Sequence, residues 1–173
     1  MPRRPKTCQD RNMTYKVMTV CTGNICRSPT GEFLLKDAAK KAGLDVEVDS
    51  SGISNEEEGN PIDRRAGKVL TELNINTSSH TAKQFKKSDF ESHDLLIAMD
   101  LNHYRSLQRM APTDEAAQKV HLMREFDPAM EGKDHGDLGI YDPWYGDEKD
   151  FYITYEMIRD AVPGVIEYIK AQS

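Results

Sequence analysis

Ten residues, Cys21-Thr22-Gly23-Asn24-Ile25-Cys26-Arg27-Ser28-Pro29-Thr30, constrain this chain more tightly than any other stretch. An apolar, strand-like run over residues 15–20 leads into them, and a helix-like run over residues 31–42 leads out. The loop opens with a thiol and closes with a guanidinium, with five residues between Cys21 and Arg27. A loop of that length can turn successive backbone N–H groups inward as a nest for a tetrahedral oxyanion. The following helix adds its positive end, with Ser28 expected as N-cap and Pro29 at the first helical position. Arg27 can fork two hydrogen bonds onto the same anion. Helix N-termini and nearby cations stabilise thiolate, so Cys21 reads as a nucleophile beside a phosphate cradle. Thr22, Gly23, Asn24, Ile25, Cys26, Arg27 and Ser28 form that cradle. The combination points to covalent phosphoryl transfer. A nucleotide-binding loop of the G-x-x-x-x-G-K-[ST] kind is excluded, because no Lys and no second Gly fall where it needs them.

With 173 residues the chain can bury a sizeable core without disulfides. Its three cysteines, Cys8, Cys21 and Cys26, suit a reducing compartment, and the cytoplasm is the expected location. No apolar run approaches the length of a membrane span, and the basic start lacks the apolar stretch of a secretory signal. Residues 1–16 hold five Lys or Arg against one Asp, leaving −10 on the rest of a chain whose formal net charge is −6. An acidic body argues against nucleic acid as a partner, and a monomer is expected. Residues 1–14 are read as a basic, disordered extension and residues 15–173 as a single domain, with Met13 a second candidate start.

Alternating character over residues 44–50 predicts a half-exposed strand, and residues 52–60 a polar loop. A helix is expected over residues 61–73 with Ala66, Val69, Leu70 and Leu73 on one face. Residues 94–99 suit a fully buried strand, residues 101–110 a helix and residues 120–123 a short fourth strand. Residues 127–147 form a long loop of a length that usually marks function. A stripe of Phe151, Tyr155, Ile158, Val162, Ile166 and Ile169 predicts a closing helix, kinked at Pro163. The expected fold is α/β, a four-stranded twisted parallel sheet with helices on both faces, Rossmann-like in its winding. Ligands of such sheets sit beyond the carboxyl ends of the strands, where the Cys21 loop falls.

A phosphoryl group leaving a poorly departing oxygen needs a proton donor, which then activates water for the second step. Within the long loop, Asp142 precedes Pro143, Trp144 and Tyr145, two of which offer flat walls to an aryl group. Asp142 is the expected general acid and base.

Cys-Thr-Gly-Asn-Ile-Cys-Arg-Ser-Pro near one end and Asp-Pro-Trp-Tyr-Gly near the other resemble the low-molecular-weight protein tyrosine phosphatases. Asp49-Ser50-Ser51-Gly52, Asp63 with Arg65-Ala66, His80-Thr81-Ala82-Lys83-Gln84 and Ala98-Met99-Asp100 extend the likeness over residues 15–171. The resemblance implies metal-independent, cofactor-free hydrolysis of phosphotyrosine in protein substrates through phosphocysteine. It assigns Cys21 as nucleophile, Arg27 as clamp, Ser28 as support for the thiolate and Asp142 as acid and base. Asn24 would hold the loop, with His80 behind Asn24 and Ser28. The remaining histidines (His93, His103, His121, His135) show no metal-ligand spacing, so no metal is assigned.

Two positions depart from the family pattern. Glu56, within Glu56-Glu57-Glu58, stands where many members wall the site with an aromatic residue, which would favour substrates with basic neighbours. Trp144 stands where Tyr is commoner. Cys26 is a candidate redox partner for Cys21. Three other readings share parts of the pattern. Protein-arginine phosphatases of this fold typically carry Thr at the position of Ile25. Arsenate reductases need further cysteines downstream. A phosphotyrosine-binding module would lack the nucleophile or the acid.

Overall fold

The computed structural model describes residues 14–172; the basic extension up to and including Met13, with Cys8, lies outside them. Four parallel strands form one sheet in the order β2-β1-β3-β4. They are β1 (Tyr15–Cys21), β2 (Val46–Gly52), β3 (Leu95–Ala98) and β4 (Val120–Leu122). Among the described residues six α-helices accompany them: α1 (Arg27–Lys41), α2 (Arg64–Thr71), α3 (Asp89–Ser92), α4 (Leu101–Met110), α5 (Asp114–Ala117) and α6 (Glu148–Gln172).

Strand alternation explains why both faces are covered. Tyr15 and Val17 of β1 and Leu95 and Ile97 of β3 point to one side, into a core shared with Phe33, Leu34 and Leu35 of α1 and Ile158, Val165 and Ile169 of α6. Met18 and Val20 of β1 and Leu96 and Ala98 of β3 point to the other, against Phe90 of α3, Leu107 of α4 and Ala116 of α5. Leu96 and Ile97 are wholly buried, and each such side chain contributes roughly 1.5–3 kcal/mol of transfer free energy. Two-sided burial is what a parallel sheet demands.

Several boundaries differ from the sequence reading. The second strand runs two residues later than expected, because Ser50, Ser51 and Gly52 pair with Thr19, Val20 and Cys21. Helix α2 is shorter than residues 61–73, and Leu73 lies past its end, 42 % exposed. Ser28 is not the N-cap. Cys26 holds that position without a side-chain cap, and Ser28 and Pro29 lie inside the first turn. The Ser28 hydroxyl is directed at other side chains, described below. Helix α6 continues through Pro163 as one element. Pro163 is on the solvent side, where the carbonyl it leaves without a donor can meet water. Gly164 lets this helix approach closely: a Cβ there would lie 1.9 Å from the Phe126 carbonyl oxygen. A 3₁₀ turn at Met123–Phe126 precedes the long loop, which contains two more at Pro128–Met130 and His135–Asp137. Among the described residues, no helix is long and apolar enough to cross a membrane.

On β2, Asp49 accepts from His93 Nε2 and Lys83 Nζ, each at 2.8 Å. Burial by itself raises the Asp49 carboxyl, but these two partners outweigh it and hold it below the ordinary carboxylate value. A carboxyl depressed in the folded state stabilises the fold above its unfolded pKa and loses that contribution as pH falls through its folded pKa. Asp49→Asn is therefore expected to be less stable than wild type at pH 7, yet to lose stability less steeply below about pH 4. Urea midpoints measured across that range check both parts.

Candidate active site

The sheet changes winding direction between β1 and β3, since β2 lies to one side of β1 and β3 and β4 to the other. The carboxyl ends of β1 and β3 therefore open a crevice. The Cys21 loop fills it from one side, and Asp100, just past β3, enters from the other.

Asn24 sets the loop's shape. It is fully buried with φ of 62°, in the left-handed region that few non-glycine residues occupy. Its Nδ2 donates to Ser28 Oγ and Ser50 Oγ, both at 2.9 Å. Its Oδ1 accepts from Lys83 N at 3.0 Å, and its backbone carbonyl lies 2.7 Å from His80 Nε2. His80 meets Asn24 through its backbone carbonyl and makes no hydrogen bond to Ser28 among the described contacts. Ser50 passes the network on to the buried Glu32 at 2.6 Å. Gly52 closes against the same loop: a Cβ there would lie 2.5 Å from Thr22 O.

Cys21 is buried at the end of β1, with its Sγ 2.8 Å from Ser28 Oγ. Arg27 is buried as well. Its Nη1 donates to Asp100 Oδ2 at 2.8 Å and to Ile140 O at 3.1 Å, and its Nη2 lies 3.4 Å from Asp142 Oδ2. The Arg27 charge is thereby balanced by one carboxylate behind it and one in front. Burial alone would raise the Asp100 carboxyl, but His103 and Arg27 outweigh it and hold it low, so Asp100 stays ionised. Burial of the His103 imidazole outweighs the opposing Asp100 carboxylate, Arg27 adds to it, and the ring is pushed down to about 4.

Cys21, Arg27 and Asp142 face a cleft of about 240 Å³. Cys21, Thr22, Gly23, Ile25, Cys26 and Arg27 form its floor. Asp142, Trp144 and Tyr145 form one wall, and Glu56 with Glu57 the other. Tyr145 is 94 % exposed, so it stands at the rim. Burial pushes the Cys26 thiol up, helped by Asp63, Cys21 and Asp142. The wall bearing Asp142 is tied down by Arg65, which donates to Gly146 O at 3.0 Å and Trp144 O at 3.2 Å. The Arg65 guanidinium also lies over the Phe151 ring at 4.4 Å and the Trp144 ring at 5.8 Å.

The family profile described as "Low molecular weight phosphotyrosine protein phosphatase" matches residues 16–173. The chain belongs to that family. A low molecular weight protein-tyrosine-phosphatase of Streptomyces coelicolor is 42 % identical over 162 residues, covering 92 % of this chain and 96 % of that one. A protein tyrosine phosphatase from Entamoeba histolytica, solved with Hepes in its active site, superposes with a TM-score of 0.83 at 29 % identity. That match covers 91 % of this chain and 98 % of the other. Wzb from Vibrio vulnificus, solved in complex with benzylphosphonate, superposes with a TM-score of 0.74 at 29 % identity, covering 89 % and 98 %.

Sequence reasoning missed four contributors. Asp100 is visible there only as part of a landmark, although Asp-x-x-His is the spacing at which a helix-capping carboxylate meets the third helical residue. His103 was set aside for lacking metal-ligand spacing. Arg65 is likewise visible only within the landmark of Asp63 with Arg65-Ala66, and Glu57 only within the acidic run Glu56-Glu57-Glu58.

Replacing Asn24 by Ala strands the Lys83 N–H, removes the amide that donates to Ser28 Oγ and Ser50 Oγ, and keeps the unfavourable φ. A loss of about 2–4 kcal/mol in unfolding free energy is expected, from roughly 1–3 kcal/mol for each buried group left unpaired. Asn24→Gly, which relieves the backbone but not the hydrogen bonds, should lie between Ala and wild type in chemical denaturation.

Proposed function

We propose that residues 15–173 act as one catalytic unit that hydrolyses phosphotyrosine in proteins through a phosphocysteine intermediate. The observation that supports this most directly is the convergence of Cys21, Arg27 and Asp142 on one cleft, with Ser28 Oγ 2.8 Å from the sulfur and Arg27 Nη2 3.4 Å from the carboxylate. The benzylphosphonate held by the Vibrio relative has the aryl-methyl-phosphoryl shape of a phosphotyrosine end.

In the first step the Cys21 thiolate attacks phosphorus, an S–P bond forms and the P–O bond to the aryl oxygen breaks. Asp142 gives its proton to that departing oxygen. In the second, Asp142 takes a proton from water, the water oxygen attacks phosphorus and the S–P bond breaks, releasing orthophosphate and the thiolate. Arg27 holds two phosphoryl oxygens throughout, and the Ser28 hydroxyl stabilises the sulfur anion each time it leaves. Ile25 lines the pocket without a hydroxyl, which favours an aryl group over a guanidinium. Trp144 and Tyr145 wall the aryl ring, and Glu56 with Glu57 would attract basic residues beside it.

Cys21→Ser should abolish turnover of a phosphotyrosine peptide. Asp142→Asn should lower kcat/KM about 100- to 10,000-fold on that peptide but much less on p-nitrophenyl phosphate, whose leaving group needs no proton, while kcat falls on both because hydrolysis of the phosphocysteine still lacks its base. Run with EDTA present, against phosphoarginine and on Lys-flanked and Glu-flanked phosphotyrosine peptides, the same assay separates the alternatives. Preference for phosphoarginine would overturn the substrate, equal kcat/KM for the two flanks would remove the role of Glu56, and binding without turnover would leave a binding module.

Cys26 is the proposed partner in oxidation. Peroxide converts the Cys21 thiolate to sulfenic acid, and the Cys26 thiol condenses with it to a disulfide, releasing water. A thiol raised as Cys26 is does not itself compete for peroxide. After peroxide and then dithiothreitol, wild type is expected to recover most of its activity and Cys26→Ala well under half of it. Equal recovery would show that Cys26 is a packing residue.

A further inference from the structure

His103 lies where the winding of the sheet changes direction. It is the third residue of α4 and is buried. Its Nε2 lies 2.7 Å from Thr22 Oγ1, on the residue that follows Cys21. Its Nδ1 lies 3.1 Å from Asp100 Oδ1, off the line of a hydrogen bond and with no other partner. The same carboxyl oxygen caps α4 by accepting from His103 N at 3.0 Å. The other accepts from Arg27 Nη1 at 2.8 Å. One imidazole is therefore flanked by the loop that carries the thiol and by the counter-ion of the guanidinium.

Electrostatics decides which nitrogen carries the proton. A neutral imidazole has one N–H. With that proton on Nε2, the Nδ1 lone pair would lie beside a carboxylate oxygen at 3.1 Å in a buried site, two acceptors in proximity with no donor between them. With the proton on Nδ1, its partial positive charge lies beside the carboxylate at 3.1 Å, an electrostatic contact and not a hydrogen bond, and Nε2 accepts from the Thr22 hydroxyl. The second arrangement is the one without repulsion. It turns the Thr22 hydroxyl toward α4.

We propose that His103 is a positioning residue that locks Thr22 to Asp100 across the gap between β1 and β3, and so sets the Arg27 guanidinium in register with the Cys21 sulfur. The proposal rests on the phosphoryl-transfer reading above. Arg27 Nη1 is occupied by Asp100 and Ile140 O, which leaves the far edge of the guanidinium for oxyanion oxygens. Rotation of the Asp100 carboxylate would carry that edge with it. His103 touches neither thiol nor guanidinium, so its effect is entirely through Thr22 and Asp100.

The test uses Thr22→Val, which keeps the shape of the side chain and removes the hydroxyl, together with His103→Ala and the double variant. Each single change is expected to lower kcat on p-nitrophenyl phosphate about 10- to 100-fold, the scale of a small misplacement of reacting groups, while KM moves less than about threefold. The double variant should be no slower than the slower single one, because both break one link. Affinity for orthovanadate, read by calorimetry, should fall about tenfold in the same variants. Thr22→Val carries the test should His103→Ala fail to fold. Additive losses in the double variant would overturn the proposal, as would Thr22→Val matching wild type in both kcat and vanadate affinity. A wild-type protein that binds vanadate, without turnover of the ester, and loses affinity on Thr22→Val would refute the enzymatic reading and uphold the lock.

Discussion

A single asparagine in an unfavourable backbone conformation holds the functional end of this molecule together. At φ of 62°, Asn24 gives up on the order of 1–2 kcal/mol relative to an ordinary right-handed residue. Its amide offsets that through contacts with Ser28 of α1, Ser50 of β2 and the backbone of Lys83, while His80 holds its carbonyl. None of these partners is within three residues in sequence. The loop conformation is therefore a product of the assembled sheet, and the thiol cannot be placed before β1, β2 and α1 have met. Local propensity alone would not make this loop.

A second network works on the opposite side of the sulfur. Arg27 is buried, and a buried guanidinium without a counter-charge would cost several kcal/mol. Asp100 supplies that counter-charge from the end of β3 while also capping α4. The cleft thus sits between one network of neutral hydrogen bonds and one of charges, each anchored in a different half of the sheet. Their meeting point is the change in winding direction, which explains why the chemistry gathers there and not at the other end of the strands. The two acidic walls, Asp142 and the Glu56–Glu57 pair, confine the positive charge to the floor.

Much of this was legible from residues alone, for identifiable reasons. Strands β1 and β3 and helix α4 declare themselves through mostly apolar runs or helical period, and the thiol loop through its chemistry. The start of α1 was misplaced because Ser28 has the composition of a cap, whereas its hydroxyl answers to Cys21 and Asn24, neither of which is a backbone donor. Leu73 was misassigned because periodicity does not register that Asn74, at φ of 62°, turns the chain just beyond it. Asp100 and His103 were illegible as site residues because their partners, Arg27 and Thr22, lie over 70 residues away. Pairings of that separation are set by strand order, which no local pattern encodes.

The segment bearing Asp142 is moored on both shoulders. On one side the Tyr141 carbonyl accepts from Thr154 Oγ1 of α6 at 2.6 Å. On the other, Arg65 of α2 grips the carbonyls of Trp144 and Gly146 while stacked on Phe151. Between these moorings Asp142 has little more than its own side-chain torsions with which to swing toward or away from a bound phosphoryl group. Such rotations take picoseconds to nanoseconds, against the microseconds to milliseconds of a closing flap. A cleft built this way has no gate to wait for. Exchange with solvent across that wall is set by diffusion and by the residues of the rim, Trp144 and Tyr145 among them.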